Sequence, residues 1–210
     1  MCGRYDKFTN KISNKIFKKF KYIHDSNKSK GEFNFSVGSY KEDILSNEFE
    51  FDLIGILEIT QDEYMVDGGA NAGFDNDGDE ITPLISIKFK IPKNPDWQEV
   101  SMDIKDVIRH EIEHLTQEGL NMKEGKFIED DQIYRNMIDI GLLPQSDYYF
   151  LPKEVDAMLH GLYFKAKKLK HPFINIVKEY LDKVNLSKED QENVIDVWKS
   201  RAKSLSLPLI

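Results

Sequence analysis

Beyond the first 30 residues, the hydrophobic pattern of this chain changes period once, between residues 92 and 101, and that change limits the folds it can adopt. Before the change, apolar residues alternate with polar ones from Ile85 to Ile91, which is typical of a half-buried strand ended by Pro92. After Ser101, apolar residues recur every three or four positions almost to the last residue. A strand-rich stretch followed by a helical one predicts an α+β fold.

The same periodicities locate the individual elements. They predict an amphipathic helix over about 9–23, strands between about 32 and 60, and a strand over Leu84–Ile91. The Gly-, Asn- and Asp-rich segment from Asp67 to Glu80 is typical of a loop. Further helices are predicted at about 102–118, 131–141, 152–169, 172–184 and 188–204. Because no repeat or linker interrupts the chain, residues 1–210 are expected to form one domain, strand-rich over 32–92 and helical over 101–205.

Composition argues against several classes of protein. Hydrophobic residues make up 40% of the chain, which is enough for a folded core rather than a disordered chain. The net charge of −8 disfavours binding to nucleic acid, because the phosphate backbone repels an acidic protein. Cys2 is the single cysteine, so an intrachain disulfide is excluded. Because neither a signal peptide nor an apolar run of about 20 residues is found, we expect a soluble, cytoplasmic protein that does not enter a membrane.

The segment from His110 to His114, His-Glu-Ile-Glu-His, has the form HExxH. On a helix, residues four apart lie one above the other, so both imidazoles can reach one metal ion. At about 100° per residue, Glu111 falls inside the apolar arc of this helix, whereas Glu113 points to water. A carboxylate in an apolar arc is costly to bury unless a metal or another partner compensates it. The alternative is an ordinary amphipathic helix with a histidine pair at its edge.

A catalytic zinc site needs a third protein ligand and an open position for water. The long form HExxHxxGxxH is excluded, because Gln117 and Leu120 occupy its glycine and histidine positions. Glu154 is the leading candidate, since it follows the first-turn proline Pro152 and lies within an apolar arc of the helix that begins there. Glu118, one turn after the motif, is the competing candidate. Without a metal, Glu154 would be a first-turn glutamate favoured by the helix dipole.

An HExxH helix with a glutamate about 40 residues later on a second helix resembles the gluzincin branch of the HExxH zincin metallopeptidases. The resemblance covers roughly residues 82–170 and implies a zincin-like fold, with the metal site in the helical half. It implies that three residues bind Zn²⁺, namely His110, His114 and Glu154. It also implies that Glu111 is the catalytic general base.

The same resemblance implies how a substrate binds. Zincins lay an extended substrate on the edge strand of the sheet, which here would be Leu84–Ile91 in a small, mainly antiparallel sheet. The run from Tyr148 to Ala157 is similar, more loosely, to small uncharacterised metallopeptidase-like proteins of phages and viruses. The chain departs from the family pattern at Glu113, where an uncharged residue is usual, and at Met158, where an aspartate is usual. The second departure leaves the partners of the histidine ligands unassigned.

The function that the resemblance implies is a zinc-dependent hydrolase that cleaves peptide bonds in a peptide or protein substrate. Such enzymes also use a tyrosine or histidine to stabilise the oxyanion. The candidates in this chain are Tyr134, Tyr148, Tyr149 and Tyr163. The alternative function is a non-catalytic, zincin-like interaction or structural module, in which the metal is structural or absent.

Overall fold

The computed structural model of the chain describes residues 5–26, 31–44, 47–71, 82–116, 126–184 and 186–208. They form an N-terminal helix, a four-stranded sheet and then a series of helices, so the predicted α+β class is confirmed. The chain divides into two compact units, Tyr5–Leu115 and Thr116–Ile210, and each is described by itself. The single-domain organisation stays a prediction. In the described part of the chain, no helix is both long and apolar enough to cross a membrane.

The unit Tyr5–Leu115 combines two helices with the sheet. Its elements are α1 (Asp6–Ser26), β1 (Gly31–Ile44), β2 (Asn47–Thr60), β3 (Met65–Asn71), β4 (Leu84–Pro92) and α2 (Trp97–Thr116, which ends one residue beyond the unit). The strands lie in the order β1-β2-β4-β3. The pairs β1–β2 and β3–β4 are antiparallel, whereas β2 and β4 are parallel. The described sheet is therefore mainly antiparallel, as the sequence predicts.

One apolar core joins the sheet to both helices of this unit. In β4, the alternating residues Ile85, Ile87, Phe89 and Ile91 are all buried, which confirms the predicted half-buried strand. Residues that α1 places at helical spacing face the same core, and the Phe20 ring stacks on the Phe89 ring with centroids 4.4 Å apart. The amphipathic pattern therefore positions α1 against the sheet through aromatic packing.

The structure corrects two predictions about the sheet. Residues 65–71 form β3, although the sequence predicted a loop from Asp67 onward. Gly68 and Gly69 do not favour the extended conformation by themselves, but pairing with β4 imposes it. The rest of the predicted loop, 72–80, lies outside the described residues. The strand predicted to be the sheet edge, Leu84–Ile91, is instead internal, because it pairs with β2 on one side and with β3 on the other. Among the described strands, β3 is the edge strand on this side.

The unit Thr116–Ile210 is helical. Its described elements are α3 (Lys126–Asp139), a short 3₁₀ helix (Gln145–Phe150), α4 (Pro152–Leu169), α5 (Phe173–Lys183) and α6 (Lys188–Ser204). Trp198 is fully buried, and its indole N–H donates a hydrogen bond of 2.9 Å to the Tyr149 carbonyl oxygen. This bond ties the 3₁₀ helix to α6, and so it fixes the segment of chain that leads into α4.

Candidate metal centre

Helix α2 carries the histidine pair of the HExxH motif. The helix begins after Asp96, whose carboxylate accepts a hydrogen bond of 2.8 Å from the Gln98 amide, as an N-cap residue does. About four turns later, the Nε2 atoms of His110 and His114 lie 3.0 Å apart. Two nitrogens that are each about 2.0–2.1 Å from a tetrahedral zinc ion lie about 3.3 Å from each other. The spacing of the two imidazoles therefore fits a shared metal ion.

The carboxylate of Glu111 lies on the core side of α2. The residue is 4% exposed, and its neighbours Ile108, Ile112 and Leu115 are buried with it, which confirms that it falls inside the apolar arc. The Glu111 side chain packs against β3. The contact is so close that a methyl group added to Gly68 would lie only 2.6 Å from Glu111 Oε1. The Glu111 carboxylate is therefore close to the edge strand of the described sheet.

The predicted orientation of Glu113 toward water is wrong. Its side chain is 17% exposed and accepts a hydrogen bond of 2.7 Å from Arg109, which is one turn earlier and 6% exposed. The Arg109 guanidinium in turn lies over the Tyr5 ring, 5.2 Å from its centroid. The helical angle assigns Glu113 to the face opposite the apolar arc, but an ion pair and an aromatic ring cover that face here.

The carboxylate of Glu154 lies in the first turn of α4 and is fully buried. Its Oε1 accepts a hydrogen bond from the Arg135 guanidinium, and its Oε2 accepts one of 2.5 Å from the Tyr148 hydroxyl. Arg135 also lies over the Tyr148 ring, 5.6 Å from its centroid. Both partners compensate the buried charge from within the same unit. The sequence shows Tyr148 as a candidate tyrosine, whereas Arg135 has no local signal because it lies on another helix.

His110, His114 and Glu154 form a group that could hold a metal ion. Each residue offers one ligand atom, and these atoms all lie within 4.8 Å of one another. Two imidazole nitrogens and one carboxylate oxygen are a donor set that catalytic zinc takes, with a fourth position left for water. The competing ligand, Glu118, lies outside the described residues, as do Gln117 and Leu120.

The four candidate tyrosines have different surroundings. Tyr148 donates its hydroxyl hydrogen to Glu154, and Tyr149 is buried in the helical core, where desolvation raises the pKa of its phenol. Tyr163 is partly buried against that core, and Tyr134 is 51% exposed. Tyr148 is thus the candidate that contacts a predicted zinc ligand. The oxyanion-stabilising role itself stays a prediction.

Comparison of the chain with family models, with curated proteins and with solved structures gives no match.

Proposed function

We propose that this protein is a zinc-dependent hydrolase that cleaves peptide bonds, with a gluzincin-like centre formed by His110, His114 and Glu154. One observation carries most of the proposal: a ligand atom of each of these residues lies within 4.8 Å of the other two. The donor set is the His₂Glu set of zinc peptidases, and the motif supplies a buried acid, Glu111, next to the first histidine.

The residues of the chain have distinct tasks in this proposal. The two histidines and Glu154 would hold the ion, and zinc bound there would supply a Lewis acid that polarises a carbonyl and acidifies water. Glu111 would accept the proton of the attacking water and then deliver it to the leaving amine nitrogen. The residue is 4% exposed, so bulk water has little access to this carboxylate.

A Glu111→Gln variant tests the proposed enzyme. We expect wild-type protein loaded with zinc to hold about one ion per chain by plasma mass spectrometry. It should also cleave fluorescein-labelled casein. Glu111→Gln should keep the ion and lose on the order of 10²–10⁴-fold in rate, because only the general base is removed. The matched control is Glu113→Gln, the same substitution two residues away in the Arg109 pair, which should keep both the metal and the rate. Wild-type protein that takes up no metal after zinc loading would refute the proposal.

A second pair of variants tests the third ligand. Glu154→Gln keeps the volume of the side chain but replaces a charged ligand oxygen with a neutral amide. Since loss of a residue that merely supports a ligand weakens metal binding about 10–100-fold, we expect Glu154→Gln to weaken zinc binding by at least about 100-fold. Glu118→Gln should change it much less. Zinc affinity measured by competition with a chelating dye gives both values, and the reverse order would transfer the ligand role to Glu118.

The second candidate function is a zincin-like interaction or structural module without catalysis. Its support is the pairing of Glu154 with Arg135 and Tyr148, which compensates the buried carboxylate without any metal. The same measurements separate the two functions. A folded chain that leaves casein and a fluorogenic peptide library intact, with or without bound zinc, would favour the module.

A further inference from the structure

The edge strand β3 approaches α2 most closely at a glycine. A methyl group added to Gly68 would lie 2.5 Å from Val107 Cγ1, 2.6 Å from Glu111 Oε1 and 3.0 Å from Glu111 Cγ. Carbon atoms in favourable contact are about 3.5–4.0 Å apart, so no side chain fits at Gly68 while Glu111 keeps its position. The side chains of Val107 and Glu111 thus together occupy the space that the Cβ atom of any other residue would take.

The next residue, Gly69, does not share this restriction. A methyl group there would meet Ser86 Oγ at 3.4 Å, an ordinary contact. Successive residues of a strand face opposite sides of the sheet, and Gly68 pairs with the buried Ile87 on the core side, whereas Gly69 pairs with Ser86. Two adjacent glycines of one strand therefore differ, because only the first lies under the carboxylate.

We infer that Gly68 is a positioning residue for Glu111: because it has no side chain, the carboxylate can lie directly on the edge strand. The inference rests on the proposed function, in which Glu111 is the general base. A general base must be within hydrogen-bond reach of the proton that it removes, and an error of about 1 Å in placement can lower the rate on the order of 100-fold. Gly68 thus acts through Glu111 and need not touch the substrate.

Gly68→Ala and Gly69→Ala are the matched test, since each adds one methyl group to the same strand. To restore ordinary contact with the new methyl group, Glu111 Oε1 must move by about 0.8 Å. We expect crystal structures to show this displacement in Gly68→Ala and no displacement in Gly69→Ala. With zinc content and KM unchanged, kcat for the best fluorogenic peptide should fall on the order of 100-fold in Gly68→Ala alone.

Val107→Ala separates positioning from general disruption of the packing. It removes the methyl group nearest to the new side chain. In the double variant Gly68→Ala/Val107→Ala, the new methyl group therefore still collides with Glu111. The double variant also serves if Gly68→Ala alone does not fold. We expect the loss of kcat, measured against Val107→Ala, to persist. Full recovery, or an unmoved Glu111 in the Gly68→Ala crystal structure, would overturn the inference.

A double-mutant cycle with Glu111→Gln distinguishes the positioning of Glu111 by Gly68 from a merely structural role of Gly68. If Gly68 acts through the carboxylate, Gly68→Ala should cause little further loss of rate once Glu111 is replaced. An equal loss in both backgrounds would contradict positioning. If wild-type protein neither binds zinc nor cleaves peptides, the proposed function fails, and the crystallographic displacement of Glu111 still decides whether Gly68 positions it.

Discussion

The ion pair between Arg135 and Glu154 allows a direct measurement of how burial sets stability in the unit Thr116–Ile210. The Glu154 side chain is 0% exposed, whereas the Arg135 side chain is 33% exposed. Arg135→Met leaves a charged carboxylate in a place that water does not reach, but Glu154→Gln leaves a guanidinium that water can partly solvate. We predict that Arg135→Met destabilises the protein more than Glu154→Gln does, although both variants break the same pair.

The magnitudes follow from the two exposures. Breaking a buried pair from one side destabilises a protein by about 3–5 kcal/mol, and the partial exposure of Arg135 places Arg135→Met near the lower end, at about 3 kcal/mol. In Glu154→Gln, the amide oxygen can still accept from Arg135, and the amide NH₂ can donate to the Tyr148 hydroxyl oxygen. The ion pair and the carboxylate acceptor of the Tyr148 hydroxyl are lost, but both side chains keep a hydrogen bond and water partly solvates Arg135, so we expect a smaller loss of about 1.5 kcal/mol.

Urea denaturation followed by tryptophan fluorescence measures both losses. The chain has two tryptophans, Trp97 in the first unit and Trp198 in the second, so a Trp97→Phe background isolates the signal of the helical unit. EDTA keeps the samples free of metal. The control is Arg201→Met, because Arg201 is 45% exposed in its pair with Asp156 and its removal should destabilise by at most about 1 kcal/mol. An equal or larger loss in Glu154→Gln than in Arg135→Met would refute the burial argument.

Zinc extends the same experiment to the proposed centre. A bound cation would replace the missing positive charge beside Glu154 in Arg135→Met, and a ligand at 100 times its Kd stabilises the folded state by about 2.7 kcal/mol. We therefore expect zinc to raise the urea midpoint of Arg135→Met more than that of the wild type, in which Arg135 competes for the carboxylate. Zinc should raise the midpoint of Glu154→Gln least.

Two further predictions concern the unit Tyr5–Leu115. Burial raises the pKa of Tyr64, and so does the neighbouring Asp103, which accepts its hydroxyl hydrogen at 2.6 Å. The stability that Tyr64 contributes is therefore complete below about pH 10 and is lost as the pH rises above it. Urea midpoints between pH 9 and pH 12 should fall less steeply for Tyr64→Phe than for the wild type, and an unchanged slope would contradict this. A methyl group added to Gly55 would collide with the Phe35 ring across the strand pair, so Gly55→Ala should destabilise the protein by about 1–3 kcal/mol, whereas Gly69→Ala should not. The same urea titration checks this, and equal midpoints for the two variants would show that the Phe35 ring moves aside freely.

The sequence predicts the helices of the fold well, because each has an apolar stripe that recurs at the helical period. The predicted bounds 152–169 and 188–204 agree with α4 and α6, and those of the other helices differ from the observed bounds by at most five residues. The edge strand β3 was missed for a physical reason. Its glycines have low strand propensity, and its conformation comes from pairing with β4, which no local pattern records.

The candidate site was predictable where helical spacing alone decides which face of a helix a residue occupies. Helical angles correctly place Glu111 in the apolar arc, since they depend on sequence spacing alone. They fail for Glu113, because the Arg109 pair and the Tyr5 ring beneath it belong to the tertiary structure. Arg135 and Gly68 were missed for the same reason, since each matters through contact with a glutamate on another element.

The two buried glutamates therefore differ in what they indicate about function. Burial of Glu154 has an ordinary explanation in Arg135 and Tyr148, an arrangement that a purely structural protein can also use. Glu111 is different, because the strand beneath it carries a glycine where alanine would be favoured by about 0.5–1 kcal/mol, and the space so gained is filled by a carboxylate. Violations of local preference concentrate at functional sites, so the Gly68–Glu111 contact is a reason to test Glu111 as the proposed general base.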